Sequence, residues 1–316
     1  MPNLIKILRH FTSRKHSIFD TKVLTSLLNK NVINLLDIGA ARGIEPRWKK
    51  ISRKINYFGF EPDERARITT PKTSFSGYQT SPFAVGDSDS QAILNITKNE
   101  GNSSFFFPNQ DFLERFPNPS RFSVSKQIEL QIKRVDSQDF DDIDFMKLDI
   151  QGGELNALKG ADGILDNVLG VEVEVEFSKL YIGQPLFGSI YDFLAEREFE
   201  FVDFVNLCRW ERKSHLGLGQ LVFGDALFLK SPEKIVLDEL SEEKIRKYLA
   251  ILYIYNRFDL IERVFLGDQS LKTSLGTFYR LKKKKMRKLR AINMVNRIIT
   301  SVYSLFGVEF RSHVIY

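Results

Sequence analysis

A chain of 316 residues with 43% hydrophobic side chains can bury a large core; that length exceeds one compact domain, so a main domain with an appendage is expected. A single cysteine, Cys208, excludes an internal disulfide and reads as a packed thiol, while the absence of any apolar run near the ~20 residues that cross a bilayer excludes a membrane-spanning helix. The net charge of +6 is concentrated in residues 231–316, where 17 Lys or Arg face 9 Asp or Glu, so the basic balance describes the tail and not the rest.

Residues 1–31 are read as an N-terminal helical segment, whose Met1–Phe11 stretch Lys6 and Arg9 interrupt before a signal-like apolar region forms. Asn34–Ile38 and Ile55–Phe60 are short apolar runs that predict buried parallel strands, one ending in a glycine turn and the other at Glu61-Pro62. Between them Pro46 suits a first helical position, with Trp48 and Ile51 following at helical spacing. Further strands are predicted at Tyr78–Val85, Phe145–Ile150, Val168–Phe177, Phe199–Phe204 and Ala226–Leu229, with helices at Glu154–Lys159 and Ile190–Arg197. This alternation predicts a mainly parallel sheet with helices on both faces. Gln91–Thr97 and Gln127–Val135 predict two extra strands around the long loop Asn102–Pro119, which carries ligand contacts or is disordered. After Leu229 the pattern is helical only, beginning at Ser241–Phe258, where Ser241 can cap but Lys244 breaks the capping box.

Asp37-Ile-Gly39-Ala40-Ala-Arg-Gly43 follows the first strand, and glycines there let the backbone approach a ligand closely. About 20 residues on, Glu61 ends the second strand, where a carboxylate can accept both hydroxyls of an adenosyl ribose. Ala41 stands where the dinucleotide fingerprint wants its middle glycine, and Asp37 would repel a pyrophosphate but suit a cationic ligand, so a nicotinamide dehydrogenase is the weaker enzyme reading. At the fourth parallel strand Asp149 precedes Gln151-Gly152-Gly153 and a helix, and can bind a ligand's amino group, act as base, or cap the helix. Glu172, Glu174 and Glu176 share one face of the next strand. That strand either points Glu174 and Glu176 into the site, with Glu172 just outside the buried portion, or is an exposed edge. His215, in a Cys208–Gln220 connection over the same edge, is a further candidate base, and the spacing of the other histidines predicts no metal site.

These residues give the chain a resemblance to the FkbM-type methyltransferase family over roughly residues 32–230. It is carried by Leu-Leu-Asp37-Ile-Gly39-Ala, Phe60-Glu61-Pro62, Ala84-Val-Gly86-Asp87, Asn102-Ser103-Ser104 and Phe-Met-Lys147-Leu-Asp149-Ile-Gln151-Gly152-Gly-Glu154. Val-Glu174-Val-Glu176-Phe177-Ser-Lys-Leu-Tyr181-Ile-Gly-Gln184-Pro185 and Gly224-Asp225-Ala226 extend it. The resemblance implies an α/β Rossmann-like class I methyltransferase sheet, mostly parallel with the last strand antiparallel, followed by an α-helical C-terminal extension over residues 231–316. It implies S-adenosylmethionine as cofactor, held by Asp37, Gly39, Ala40, Gly43, Glu61, Pro62 and Asp87, and an acceptor hydroxyl, on a sugar or glycan, near Gln151, Glu174 and Tyr181. Where the family usually has Glu this chain has Gln151, and a neutral amide is no base, so the proton would pass to Asp149, Glu176 or His215.

The expected activity is therefore SN2 methyl transfer to a hydroxyl in the cytoplasm, without a metal. The alternative is a catalytically impaired binding or scaffold module. The basic run Lys282–Arg290 precedes an amphipathic helix through Phe306. That element packs on its own domain, mediates self-association through residues 282–306, or contacts an anionic membrane surface peripherally. Nucleic acid is disfavoured because the basic run lacks interleaved aromatics.

Overall fold

The computed structural model describes residues 20–41, 43–69, 74–140, 142–212 and 219–281. In chain order the strands are β1 (Ile33–Ile38), β2 (Ile55–Phe60), β3 (Gly77–Ser81), β4 (Ala84–Val85), β5 (Ser90–Thr97), β6 (Val124–Lys133), β7 (Phe145–Leu148), β8 (Gly170–Glu176), β9 (Phe199–Trp210) and β10 (Gln220–Lys230). Seven of them form one sheet in the order β3-β2-β1-β7-β8-β10-β9, in which β10 alone runs against its neighbours. Pairing of β1 with both β2 and β7 is parallel, so the order reverses beside β1 and opens a crevice at the carboxyl ends of β1 and β7. This is a mixed α/β sheet of the Rossmann-like kind, mostly parallel with one antiparallel strand, as the sequence leads one to expect.

Both faces are covered. On one, Val171, Val173 and Val175 of β8 pack with Leu158 of the helix Glu154–Lys159 and with Ile190 and Leu194 of Phe187–Ala195. On the other, the helices Thr21–Leu28, Glu242–Ile254 and Phe258–Gly267 share one apolar cluster with β1 and with Trp48, whose helix starts at Pro46 as its first position. Residues 231–281 thus form part of the layer that seals the sheet. Ser241 caps its helix by accepting the Lys244 N–H.

Several expectations shift. The run Tyr78–Val85 is two strands, because Pro82 has no N–H to continue the ladder, and β4 crosses to a second sheet of order β4-β6-β5. That sheet contains the two extra strands. β9 continues to Trp210, so Cys208 lies inside a strand rather than in a connection and is half-buried rather than packed. The helix expected over Ser241–Phe258 ends at Ile254, and Asn256 at φ 59° turns the chain into a second helix from Phe258. β8 is no edge strand: it lies between β7 and β10 with every residue buried. Among the described residues no helix is long and apolar enough to cross a membrane. His215, residues 1–19 of the expected N-terminal helical segment and the 282–306 element lie outside the described residues.

Candidate active site

The Gly39 and Ala40 amides both donate to the Phe60 carbonyl, at 2.9 and 3.0 Å, which draws the end of β1 against the end of β2 and sets Glu61 beside the turn. Gly39 holds φ +89°, and a Cβ there would meet the Asp149 carbonyl oxygen at 1.9 Å, so glycine lets β1 and β7 close at this point. Gly43 also has a positive φ and donates to the Ala40 carbonyl, while Pro62 is half-buried directly after Glu61. Glu61 is 8% exposed, and its Oε1 accepts the Asp63 N–H at 2.7 Å. Burial, reinforced by the Asp63 charge and opposed by that N–H, lifts its pKa to about 7. A buried carboxylate with so little compensation suits a ligand that brings hydroxyl donors, as an adenosyl ribose does.

Asp37 lies in β1, just before the turn. It is sealed at 2% exposure, accepts the Tyr57 hydroxyl at 2.7 Å and faces Lys147 Nζ at 3.8 Å. Burial outweighs Lys147 and raises the Asp37 pKa, and its Oδ1 has no hydrogen-bond partner among the described residues. Lys147 also reaches Asp149 at 3.5 Å. Burial works against the Lys147 charge, but Asp149, Asp37 and Glu172 outweigh it and raise its pKa, leaving an ammonium between the two halves of the crevice.

Beyond Lys147 the acids gather. The Gln151 amide donates to Asp149 Oδ1 at 3.2 Å and to Glu174 Oε2 at 2.6 Å, and its carbonyl oxygen accepts the Tyr181 hydroxyl at 3.0 Å. Gln151 stands at φ 59° and Gly152 at φ 99°, a turn that Glu154 clamps by accepting the Ile150 and Gly152 N–H groups at 2.7 and 2.9 Å. Burial raises Glu154 to about 7. Glu174 and Glu176 are pushed well above the usual carboxylate range, by burial first and then by neighbouring acids. Asp149 moves the other way: burial would raise it, but Lys147 and hydrogen bonds from Gln151 and Glu174 hold it below its ordinary value. It is also the one of these acids with a substantially exposed side chain, at 38%. The arrangement therefore offers one accessible carboxylate whose charge Lys147 favours, beside two buried ones whose charge burial and neighbouring acids disfavour.

The long loop from Asn102 packs over this cluster. Asn102 accepts the Tyr181 hydroxyl at 2.9 Å through its carbonyl, Ser104 Oγ donates to the Gln151 carbonyl at 2.7 Å, and Phe106 lies against Gly152. Three buried atoms of this edge lack a hydrogen-bond partner among the described residues: Asp37 Oδ1, Glu176 Oε2 and Gln184 Nε2.

The structure thus brings Gly39, Ala40, Gly43, Glu61, Pro62, Asp149, Gln151, Glu174, Glu176 and Tyr181 to one edge. It leaves Asp87 out: Asp87 is exposed, and Arg134 ties its carbonyl to Lys159 at the far end of the helix that Glu154 begins, because Gly86 packs under Gly160. Glu172, expected outside the buried portion, is 3% exposed, paired with Arg47 at 3.4 Å and with the Tyr255 hydroxyl. Sequence reasoning missed Asp225, the register partner of Glu174, which burial raises to about 7. Its signal is a lone acid inside the apolar run Leu221–Leu229.

A comparison with curated proteins returned no match. Among solved structures the chain is similar to methyltransferase FkbM from Methylobacillus flagellatus KT, at 14% identity and TM-score 0.37, covering 63% of this chain and 43% of that one. The chain thus spans less than half the length of that relative. It is also similar to magnesium protoporphyrin IX methyltransferase from Synechocystis PCC 6803 with bound SAM, at 9% identity and TM-score 0.31, covering 72% of this chain and 96% of that one. A third is a putative tRNA (m1A22) methyltransferase from Streptococcus pneumoniae in complex with S-adenosyl-L-methionine, at 13% identity and TM-score 0.28, covering 79% and 97%. A family model described as the methyltransferase FkbM domain matches residues 37–201, from the first-strand turn to the start of β9. With more than half of its 316 residues inside that match, the chain belongs to the FkbM methyltransferase domain family.

Proposed function

We propose that this protein transfers a methyl group from S-adenosylmethionine to a hydroxyl oxygen of a sugar, glycan or other hydroxylated acceptor. The observation that carries the reading is the single edge on which the glycine turn and Glu61 meet Asp149, Glu174 and Gln151, joined through Lys147. When bound, S-adenosylmethionine supplies an electrophilic methyl group. Glu61, ionised above its pKa of about 7, accepts the ribose hydroxyls, and the Gly39–Gly43 turn allows the close approach. Asp149 takes the proton of the acceptor hydroxyl, since Lys147 favours its charge and its side chain is exposed, whereas Glu174 and Glu176 are buried and burial disfavours their charge. Gln151 is a positioning residue that spans Asp149 and Glu174, so its neutrality does not argue for a silent scaffold.

The test is S-adenosylhomocysteine release over a panel of glycans and small polyols, with alkali-stable methyl ethers as product. Asp149→Asn is expected to lower turnover at least about a hundredfold while leaving cofactor affinity within a few-fold. Equal turnover in Asp149→Asn removes it as base, and methylation confined to nitrogen overturns the hydroxyl assignment.

A further inference from the structure

Outside the acid-lined edge, the loop after α-helix Gln110–Leu113 and the ends of β9 and β10 build an aromatic cluster of Phe112, Phe116, Phe122, Trp210 and Phe223. Phe116 and Phe122 lie 5.4 and 5.9 Å from Trp210. The cluster packs against the acid-rich edge through buried Tyr181. Phe122 meets the Tyr181 ring at 6.0 Å, Tyr181 bonds Gln151, and Phe223 is the register partner of Glu176.

Arg121 lies on this platform, its guanidinium carbon 4.4 Å from the Trp210 ring centre and 5.3 Å from that of Phe122. It is half-buried, and among the described residues its guanidinium meets rings only, with no carboxylate in ion-pair reach. Its titratable neighbour, Cys208, is pushed up by burial and stays a neutral thiol, so it does not answer the charge. Arg115 and Arg212 stack on Phe112 and Phe116 of the same cluster, each at 5.5 Å. A half-buried guanidinium fixed by stacking on rings, with no carboxylate partner among the described residues, presents its planar donors for an anion from outside.

We propose that Arg121 binds a phosphate or carboxylate group of the acceptor, so that the substrate is an anionic hydroxylated molecule of the sugar phosphate or uronate class. This rests on reading the adjoining edge as the acceptor site. The anionic group sits on Arg121 over Trp210, and the hydroxyl to be methylated extends toward Asp149.

The test is calorimetric titration of the full chain with glucose 1-phosphate, glucuronate and glucose, without cofactor, alongside the Trp210 emission. At least one of the two anionic sugars is expected to bind and shift the emission, and which of them does identifies the anion, while glucose does neither. Arg121→Gln is expected to weaken that binding at least about tenfold and Arg121→Lys to restore part of it, with circular dichroism verifying that each variant is folded. Binding of neither anionic sugar, equal binding of glucose, or undiminished binding by folded Arg121→Gln overturns the proposal. A failure to bind S-adenosylmethionine would instead strike the proposed activity and leave this titration readable.

Discussion

At Glu61 the raised carboxyl couples cofactor binding to pH. The ribose hydroxyls need the ionised form, so affinity for S-adenosylmethionine is expected to be flat above pH 7 and to fall by about tenfold per pH unit below it. Titration calorimetry at several pH values checks this, and Glu61→Gln should bind more weakly and lose the dependence. Gln151 makes a second prediction. Gln151→Glu would set a third carboxylate between Asp149 and Glu174 and remove both bridging donors. Urea unfolding should show a loss of roughly 2–3 kcal/mol at pH 8 that shrinks at pH 5.5, since protonation relieves a crowded acid. The glycine turn and Glu61 were legible in the sequence because each stands at the end of an apolar run, where residue type and strand position coincide. The partners of Asp37 were not: Tyr57 and Lys147 come from neighbouring strands, and only the sheet register brings them to it. Arg121 was invisible for the same reason, since its platform joins a loop to the end of a hairpin.

The Asn102–Pro119 loop, left open between ligand contact and disorder, is an element with its own fastenings. Tyr181 holds it through the Asn102 carbonyl while also bonding Gln151. Tyr181→Phe is expected to cost about 1–2 kcal/mol and to speed amide hydrogen exchange selectively over residues 102–106; unchanged exchange there would mean that the hydroxyl does not fasten the loop. Apolar periodicity located the parallel strands well, because each is buried on both faces. It failed where a strand leaves the core. β9 runs past Phe204 through exposed Asn206 and Leu207, and its pairing with β10 shows register shifts, so no simple alternation marks it.

On the scale of the molecule, the C-terminal helices close one face of the sheet, and Tyr255 bonds Glu172 in its middle. A chain ending at Lys230 would expose the face that Tyr248, Leu249, Leu252 and Ile261 cover, and is expected to aggregate where the full chain stays soluble. A soluble, folded 1–230 fragment would show the extension to be separable. The acid-rich edge also sets the pH dependence of stability. Glu61 and Glu154 have folded pKa values of about 7 against ordinary values of 4.5, so the folded state holds protons that the unfolded chain releases. Unfolding free energy therefore falls as pH rises from about 4.5 to 7, by up to roughly 1.4 kcal/mol per pH unit for each group. Ligand hydroxyls at Glu61 should oppose that decline.

The central claim, that this edge holds S-adenosylmethionine for methyl transfer, is tested most directly by calorimetry of the full chain against S-adenosylmethionine and nicotinamide adenine dinucleotide at pH 8. One S-adenosylmethionine per chain, no dinucleotide binding and at least about tenfold weaker binding in Glu61→Ala is the predicted result. Tighter binding of the dinucleotide, or undiminished S-adenosylmethionine affinity in Glu61→Ala, would contradict it.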